Sequence, residues 1–379
     1  MENKKIIWED LSVTVHIKSF RPENGCAEHH VIISYNNDTH SADIQFRNVN
    51  EAIVRLNNSE LQKNTLVFKR YFLSDAANQK QYIKDKGKCA FSVIQQPPLD
   101  GTKAAVWLYY IEDAEIRSEG KETCIARRPS YSHIWHTDLH CPVNDEAAET
   151  GYILDRYKNS LSDYNCTIKD NCIRTWIFVQ GVDVHYTGMV RSRKDFFEQE
   201  GLRHDTHYIA STGIEGKYTD PQALVIMDAY AVEGIKPGQI NYLRALSHLS
   251  PTYKYGVTFE RGTSIDYGDR RHIFISGTAS IDKNGEIVHP GNIIRQTERT
   301  FENIQALLSE AEADMSHVVK MIVYLRDMAD YKNISSYLKK HYSEIPYVIV
   351  WAPVCRPGWL VEVECIALKE VKNPHLPIF

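Results

Sequence analysis

What the sequence lacks narrows its function first. No CxxC pair occurs among its eight cysteines, at 26, 89, 124, 141, 166, 172, 355 and 365, so neither a disulfide framework nor a paired-cysteine metal knuckle is expected. Scattered thiols of this kind read as small buried hydrophobes in a reducing compartment. No run of Lys and Arg stands out, and a net charge of −5 with a pI near 6.4 excludes the basic footprint of a nucleic-acid binder. No stretch approaches the roughly 18 apolar residues of a membrane span, and residues 1–10 alternate charged and apolar side chains without an apolar leader core. The expectation is a soluble, cytoplasmic protein with neither nucleic acid nor membrane as partner.

What is present is ample core. With 379 residues, 43% of them hydrophobic, the chain is long enough for two domains of ordinary size. The clearest pattern begins at Arg271, where an apolar strand runs into Gly277. The turn Asp282-Lys-Asn-Gly285 before Ile287 and Val288 then predicts a β-hairpin. From residue 292 to 313, Ile293, Ile294, Phe301, Ile304, Leu307 and Leu308 fall on one helical stripe. A β-branched strand at 318–324, a helix at 330–341 and strands at 347–354 and 360–368 complete a ββαβαββ order. That order predicts an α+β fold with helices packed on one face of a mixed sheet.

The second half of this unit overlays an earlier stretch. Arg174-Thr-Trp-Ile-Phe-Val matches Lys320-Met-Ile-Val-Tyr-Leu, and Leu224-Val-Ile-Met-Asp-Ala-Tyr-Ala231 matches Leu360-Val-Glu-Val-Glu-Cys-Ile-Ala367. Phe91 to Gly101 then stands where the later copy has its hairpin. The reading is two tandem, diverged copies, at about 85–235 and 260–370, behind an N-terminal extension, with domains at 1–235 and 236–379. Under this overlay Ile226 and Asp228 of the first copy correspond to Glu362 and Glu364 of the second.

Ser276-Gly-Thr-Ala-Ser-Ile-Asp282, Gln296-Thr297, Asn303-Ile304, Val318-Val-Lys320, Val323-Tyr-Leu-Arg-Asp327, Pro346 and Val361-Glu-Val-Glu364 resemble the successive motifs of the YjgF/RidA family, whose fold is chorismate-mutase-like. Longer phrases resemble the chorismatases, also called pteridine-dependent deoxygenase-like proteins. These are Gln95-Gln-Pro-Pro-Leu-Asp-Gly-Thr-Lys103, Thr206-His-Tyr-Ile-Ala-Ser-Thr-Gly-Ile-Glu-Gly216, Tyr255-Gly-Val-Thr-Phe-Glu-Arg-Gly262 and Ala352-Pro-Val-Cys-Arg-Pro-Gly-Trp-Leu-Val-Glu362. The resemblance implies an enzyme that cleaves the enolpyruvyl ether of chorismate to pyruvate plus a hydroxybenzoate, 3-hydroxybenzoate favoured, or a dihydroxycyclohexadiene carboxylate. The alternatives are a RidA-like enamine/imine deaminase and a non-catalytic binder of small carboxylates. RidA deaminases hold the substrate carboxylate with an Arg on the penultimate strand, and Tyr347-Val-Ile-Val-Trp351 has none.

Chorismate is a dianion, so it calls for fixed cations and for an acid able to protonate a vinyl carbon. Arg suits the first task through its planar fork, and Arg261 and Arg356 are the candidates. Arg191 and Arg193, from the first copy, are also available cations, and on their charged helix the surface ion pair is the first reading. Glu362 and Glu364 sit two apart on one strand, hence on one face, where like charge pushes one pKa upward. By the family match Glu362 is the proton donor and Glu364 its electrostatic neighbour or a structural ion-pair partner. Cys355, seven residues before Glu362, fits the hydroxybenzoate-forming subtype, and the adjacent Arg356 is expected to lower its thiol pKa. Ser276, Gly277, Thr278 and Ala279 are expected to floor the pocket, and Tyr208 and Ser211 to close it from the first copy. His133, His136, His140 and Cys141 are too loosely spaced for a zinc site and read as a polar loop. No metal or cofactor is expected. YjgF units pack as trimeric rings, so a homo-oligomer is open.

Overall fold

The computed structural model describes residues 1–83 and 88–379. They form three six-stranded mixed sheets. The first comprises β1 (Glu2–Trp8), β2 (Val13–Phe20), β3 (Glu28–Tyr35), α1 (Ala42–Asn58), β4 (Asn64–Leu73), the short α2 (Ala76–Gln79), β5 (Ala90–Gln95) and β6 (Ala104–Glu112). The second comprises β7 (Glu115–Glu119), β8 (Thr123–Arg127), β9 (Ser132–His140), α3 (Glu146–Ser162), α4 (Ile168–Asn171), β10 (Cys172–Val179), α5 (Val182–Gln199), β11 (Ala210–Glu215) and β12 (Val225–Glu233). The third comprises β13 (Ile240–Leu243), β14 (Gly262–Asp266), β15 (Arg270–Ala279), α6 (Ile293–Glu310), β16 (Val318–Leu325), α7 (Tyr331–His341), β17 (Tyr347–Trp351) and β18 (Val361–Glu370).

All three share one topology. The order β1-β2-β3-β6-β4-β5 recurs as β7-β8-β9-β12-β10-β11 and β13-β14-β15-β18-β16-β17, with only the last pair of each sheet parallel. The α+β class therefore holds, and the chain folds three units where two were expected. The supposed N-terminal extension carries its own sheet. Val13, Val15 and Ile17 on β2, with Val31 and Ile33 on β3, are fully buried or nearly so, by the alternation of a strand with one core face. Phe91 to Gly101 does not open the second unit. Its strand β5 is the parallel edge of the first sheet, and Pro97-Pro98, unable to donate, ends it. The turn at Asp282 is present, with Gly285 at φ +90°, and it closes a short antiparallel pairing in which Ile281 bridges Ile287 and the Val288 N–H donates to Ser280 O at 3.1 Å. The hairpin partner of β15 is instead β14, which precedes it.

The helices lie on one face of each sheet. Asn292 caps α6 by accepting from the Arg295 N–H, and Phe301, Ile304, Leu307 and Leu308 bury its apolar stripe. The opposite sheet faces meet in one shared core holding Trp107, Trp135 and Trp176. Around it β5 lies against β9, β11 against β15 and β17 against β3, so the fifth strand of each unit meets the third strand of the next and the ring closes within one chain. Among the described residues, no helix is long and apolar enough to cross a membrane.

Candidate active site

The site lies where the second and third units meet. On β18, Glu362 pairs across to Ala279 of β15 and Glu364 to Ile322 of β16, and both carboxyls turn inward toward the second unit rather than to solvent. The overlay of Ile226 and Asp228 on these two acids agrees with the register. After the bulges at Cys172/Arg174 and Val318/Lys320, Arg174 faces Tyr230 as Lys320 faces Ile366.

The two acids have opposite surroundings. Glu364 accepts from Lys320 Nζ at 2.8 Å, Arg174 Nη2 at 2.9 Å, Trp176 Nε1 at 2.9 Å and Thr212 Oγ1 at 2.8 Å. Burial alone would raise its pKa, but Lys320 and Arg174 outweigh that and hold the carboxyl far below its usual range. Glu362 has no such clamp. Burial first, and the Glu364 charge second, push it up to about 8, against weaker opposing pulls from Arg174 and Arg261. One face of one strand thus carries an ionised and a protonated carboxyl at neutral pH, a split that acid–base chemistry requires.

Glu362 opens into a cavity lined by Gly277, Ala279, Cys355, Arg356 and Trp359 of the third unit, by Tyr255, Phe259 and Arg261 of the connecting segment, and by Tyr186, Arg193, Ser211 and Thr212 of the second unit. Three guanidinium groups converge there. Arg261 is fixed by donation to Ser250 O from Nη2 at 2.9 Å and Nε at 3.3 Å, and lies over the Tyr255 and Phe259 rings. Arg356 lies over Tyr255 and Trp359, its centre 4.6 and 5.0 Å from the ring centroids. Arg193 donates from Nε to Thr258 Oγ1 at 3.2 Å, while its buried Nη2 has no protein partner. A buried guanidinium N–H without a protein partner has the geometry to donate to a carboxylate.

Of the residues singled out in the sequence, Glu362, Cys355, Arg356, Arg261, Ser211, Gly277 and Ala279 line this cavity, and Glu364 stands behind it. Three others do not line it. Ser276 stands at the β15 bulge and is taken up by the unit boundary, its Oγ donating to Glu260 O and accepting from Ser211 N and Arg174 Nη1, while Thr278, paired with Val363, faces the other side of the strand. Thr278 Oγ1 donates to Ser276 O. Tyr208 lines a neighbouring chamber with Arg244 and Glu260. The thiol of Cys355 also differs from expectation. Enclosure and the Glu362 charge push it up to about 12, outweighing Arg356, so it is a neutral thiol hydrogen-bonded to Tyr186 rather than a thiolate. Arg193 is buried on α5, not a surface ion-pair member, whereas Arg191 is exposed. Sequence reasoning missed Tyr186 and the Arg174–Lys320 clamp, and put the surface reading of Arg193 ahead of its candidate role, because nothing local says which helix face or strand face meets another unit. Tyr255, Phe259 and Trp359 lay inside the quoted phrases and were legible there.

His133, His136 and His140 find separate partners on β9: Tyr230 OH, Ser160 Oγ and the Asp138 carbonyl. Among the described residues no trio of His, Cys, Asp or Glu gathers as a metal site.

Gly277 matters through its missing side chain. A Cβ there would stand 2.0 Å from Glu362 Oε1, so Gly277→Ala must displace the carboxyl. A rate loss comparable to mutating Glu362 itself is expected, with the melting temperature changed little; full activity in Gly277→Ala would mean that the position of the carboxyl is not critical.

Comparison with known proteins follows the same division of the chain. A family model described as Endoribonuclease L-PSP matches residues 265–369. A RutC family protein of Pyrococcus abyssi is 41% identical over 101 residues, 26% of this chain and 79% of that protein. The 2-iminobutanoate/2-iminopropanoate deaminase of Mus musculus is 29% identical over 101 residues, 26% of this chain and 75% of that protein. Among solved structures, a chorismatase shares the fold with a TM-score of 0.64 at 17% identity, covering 80% of this chain and 93% of its own. That likeness of fold reaches far beyond the third unit.

Proposed function

This chain belongs, through its third unit, to the RutC family, and from that premise we propose that it is a chorismatase in which Glu362 protonates the enolpyruvyl ether of chorismate. The observation that carries the reading is the division of labour on β18: Glu364 clamped as an anion, Glu362 held protonated and facing the cavity. Arg193, Arg261 and Arg356 supply the charge for the two substrate carboxylates, and Tyr255, Phe259 and Trp359 supply flat apolar walls for its ring.

Proton transfer from Glu362 to the methylene carbon converts the enol ether to an oxocarbenium ion. The carboxylate left behind is stabilised by the same guanidinium groups. Capture by water, followed by collapse of the hemiketal, gives pyruvate and the dihydroxycyclohexadiene carboxylate. Alternatively the neighbouring ring hydroxyl displaces the protonated side chain at the ring carbon, losing its own proton as an epoxide C–O bond forms and the ether C–O bond breaks to release pyruvate; opening of the epoxide with loss of a ring proton and regain of one on oxygen then gives a hydroxybenzoate without net uptake of water. The favoured product is 3-hydroxybenzoate, because Cys355 presents a neutral S–H beside the acid, a hydrogen-bonding group suited to steering the ring oxygen rather than attacking it. The RidA-like alternative has in its favour the identity of the third unit to an imine deaminase. Against it stands β17, which offers no Arg, and a cavity whose cations come from elsewhere.

Purified protein given chorismate should release pyruvate, read by coupling to lactate dehydrogenase, and leave 2-iminobutanoate untouched. Deamination without pyruvate release would replace this reading with the deaminase. Binding of benzoate without either reaction would leave a carboxylate binder. Chromatography of the ring product decides between 3-hydroxybenzoate and the diene diol.

A further inference from the structure

Beside the catalytic cavity lies a second chamber, and Arg261 lines both. The chamber is the roomier of the two, 120 Å³ against 40 Å³. Its contents are not those of a structural void. Arg244 reaches in from just after β13, with its Nε 3.6 Å from Glu260 Oε2, beyond a direct hydrogen bond. Glu260 is already committed, its Oε1 accepting from the Tyr208 N–H at 2.9 Å. The Arg244 guanidinium is half exposed and loosely paired. Around it stand Leu246 and Tyr253, 56% and 48% exposed and among the few large apolar side chains the surface leaves open. The His204 ring lies 5.4 Å from that of Tyr253.

A concave space with an under-paired cation and an apolar, aromatic rim is complementary to a flat ring bearing one carboxylate. We infer that this chamber is a second subsite for a cyclic carboxylate, an anteroom to the catalytic cavity in which Arg244 holds the anion. That the anion is substrate arriving or ring product leaving rests on the chorismatase reading; the subsite itself rests on Arg244, Arg261, Tyr253 and Leu246. Because Arg261 lines both chambers, a carboxylate leaving Arg244 stays within reach of fixed positive charge on its way between them.

Calorimetric titration of the full chain with benzoate tests this without any turnover. Two benzoates per chain are expected, and Arg244→Ala should weaken one of them at least tenfold while Arg244→Lys restores most of the loss. A single benzoate in the wild type, or two that survive unchanged in Arg244→Ala, overturns the inference. Should the chain bind two benzoates yet never release pyruvate from chorismate, the subsite stands and the proposed reaction falls. Where turnover is present, the arms separate the sources. A salt-sensitive fall in kcat/KM in Arg244→Ala assigns the anteroom to incoming substrate, and weakened inhibition by 3-hydroxybenzoate assigns it to departing product.

Discussion

Glu362→Gln should slow pyruvate release by about 10²–10⁴-fold, the usual worth of a positioned general acid, while changing benzoate affinity far less. The amide keeps the size and polarity of the carboxyl, but it has no acidic proton to give. The wild-type rate should hold to near pH 8 and fall above it, because the proton that does the work is held with a pKa of about 8. The same shift has a thermodynamic face. The folded-state pKa lies above the ordinary 4.5, so folding retains a proton that the unfolded chain gives up between those values. The stability linked to that proton is fully present below pH 4.5 and is lost as pH rises through 8. Glu362→Gln has no such proton to lose, so its melting temperature should rise relative to the wild type as pH goes from 5 to 9. A Glu362→Gln enzyme with near-normal turnover would place the chemistry on another residue.

The pairing of a slow enzyme with a more stable fold is what separates a strained catalytic acid from a structural one, and it also marks how far the sequence could be read. Glu362 and Glu364 were legible as two acids on one strand face, and the glycine at 277 and the cation at 356 were legible from their motifs. The third unit was legible because its helices and strands keep clean periods, as in the stripe of Phe301, Ile304 and Leu307 on α6. The first unit was not. Among the described residues between its β4 and β5, no α-helix is longer than the four residues of α2, where the later units carry α5 and α7, so the pattern that makes the repeat recognisable is weak there. The cations were harder still. Arg174, Lys320 and Arg193 lie on separate elements of two units, and their roles come from the ring of sheets, which brings β10 and α5 against β18. Even the sign of the Cys355 shift needed that enclosure, since the neighbour in sequence, Arg356, pulls the other way.

Glu364→Gln should be the more damaging substitution for the fold, although its neighbour does the chemistry. In the sequence Glu364 read as an electrostatic neighbour of the acid or a structural ion-pair partner. In the structure it is the counter-charge of two buried cations, with Lys320 and Arg174 both within 2.9 Å, and it satisfies Trp176 and Thr212 as well. Removing one member of a buried ion cluster leaves the rest uncompensated, at a cost of about 3–5 kcal/mol. Lys320 can relieve part of this, since burial already draws its pKa down to about 8 and the loss of Glu364 takes it lower, so it discharges at neutral pH. Arg174 cannot shed its proton. A drop of several degrees in the unfolding midpoint is therefore expected. The double variant Lys320→Met/Glu364→Gln should unfold closer to the wild type than the two single losses predict when added, because the buried amine that Glu364→Gln leaves without its acceptor, and the carboxylate oxygen that Lys320→Met leaves without its donor, are both gone. The catalytic effect follows from the same cluster. Without the Glu364 charge the strongest like-charge push on Glu362 is gone while Arg174 and Arg261 remain, so the Glu362 pKa falls and the alkaline limb of the pH–rate profile moves to lower pH. Thermal melts and pH profiles of the wild type, both singles and the double measure this directly. A Glu364→Gln protein that melts as the wild type does and keeps its alkaline limb near pH 8 would show that the buried ion cluster does not set the proton affinity of the acid beside it.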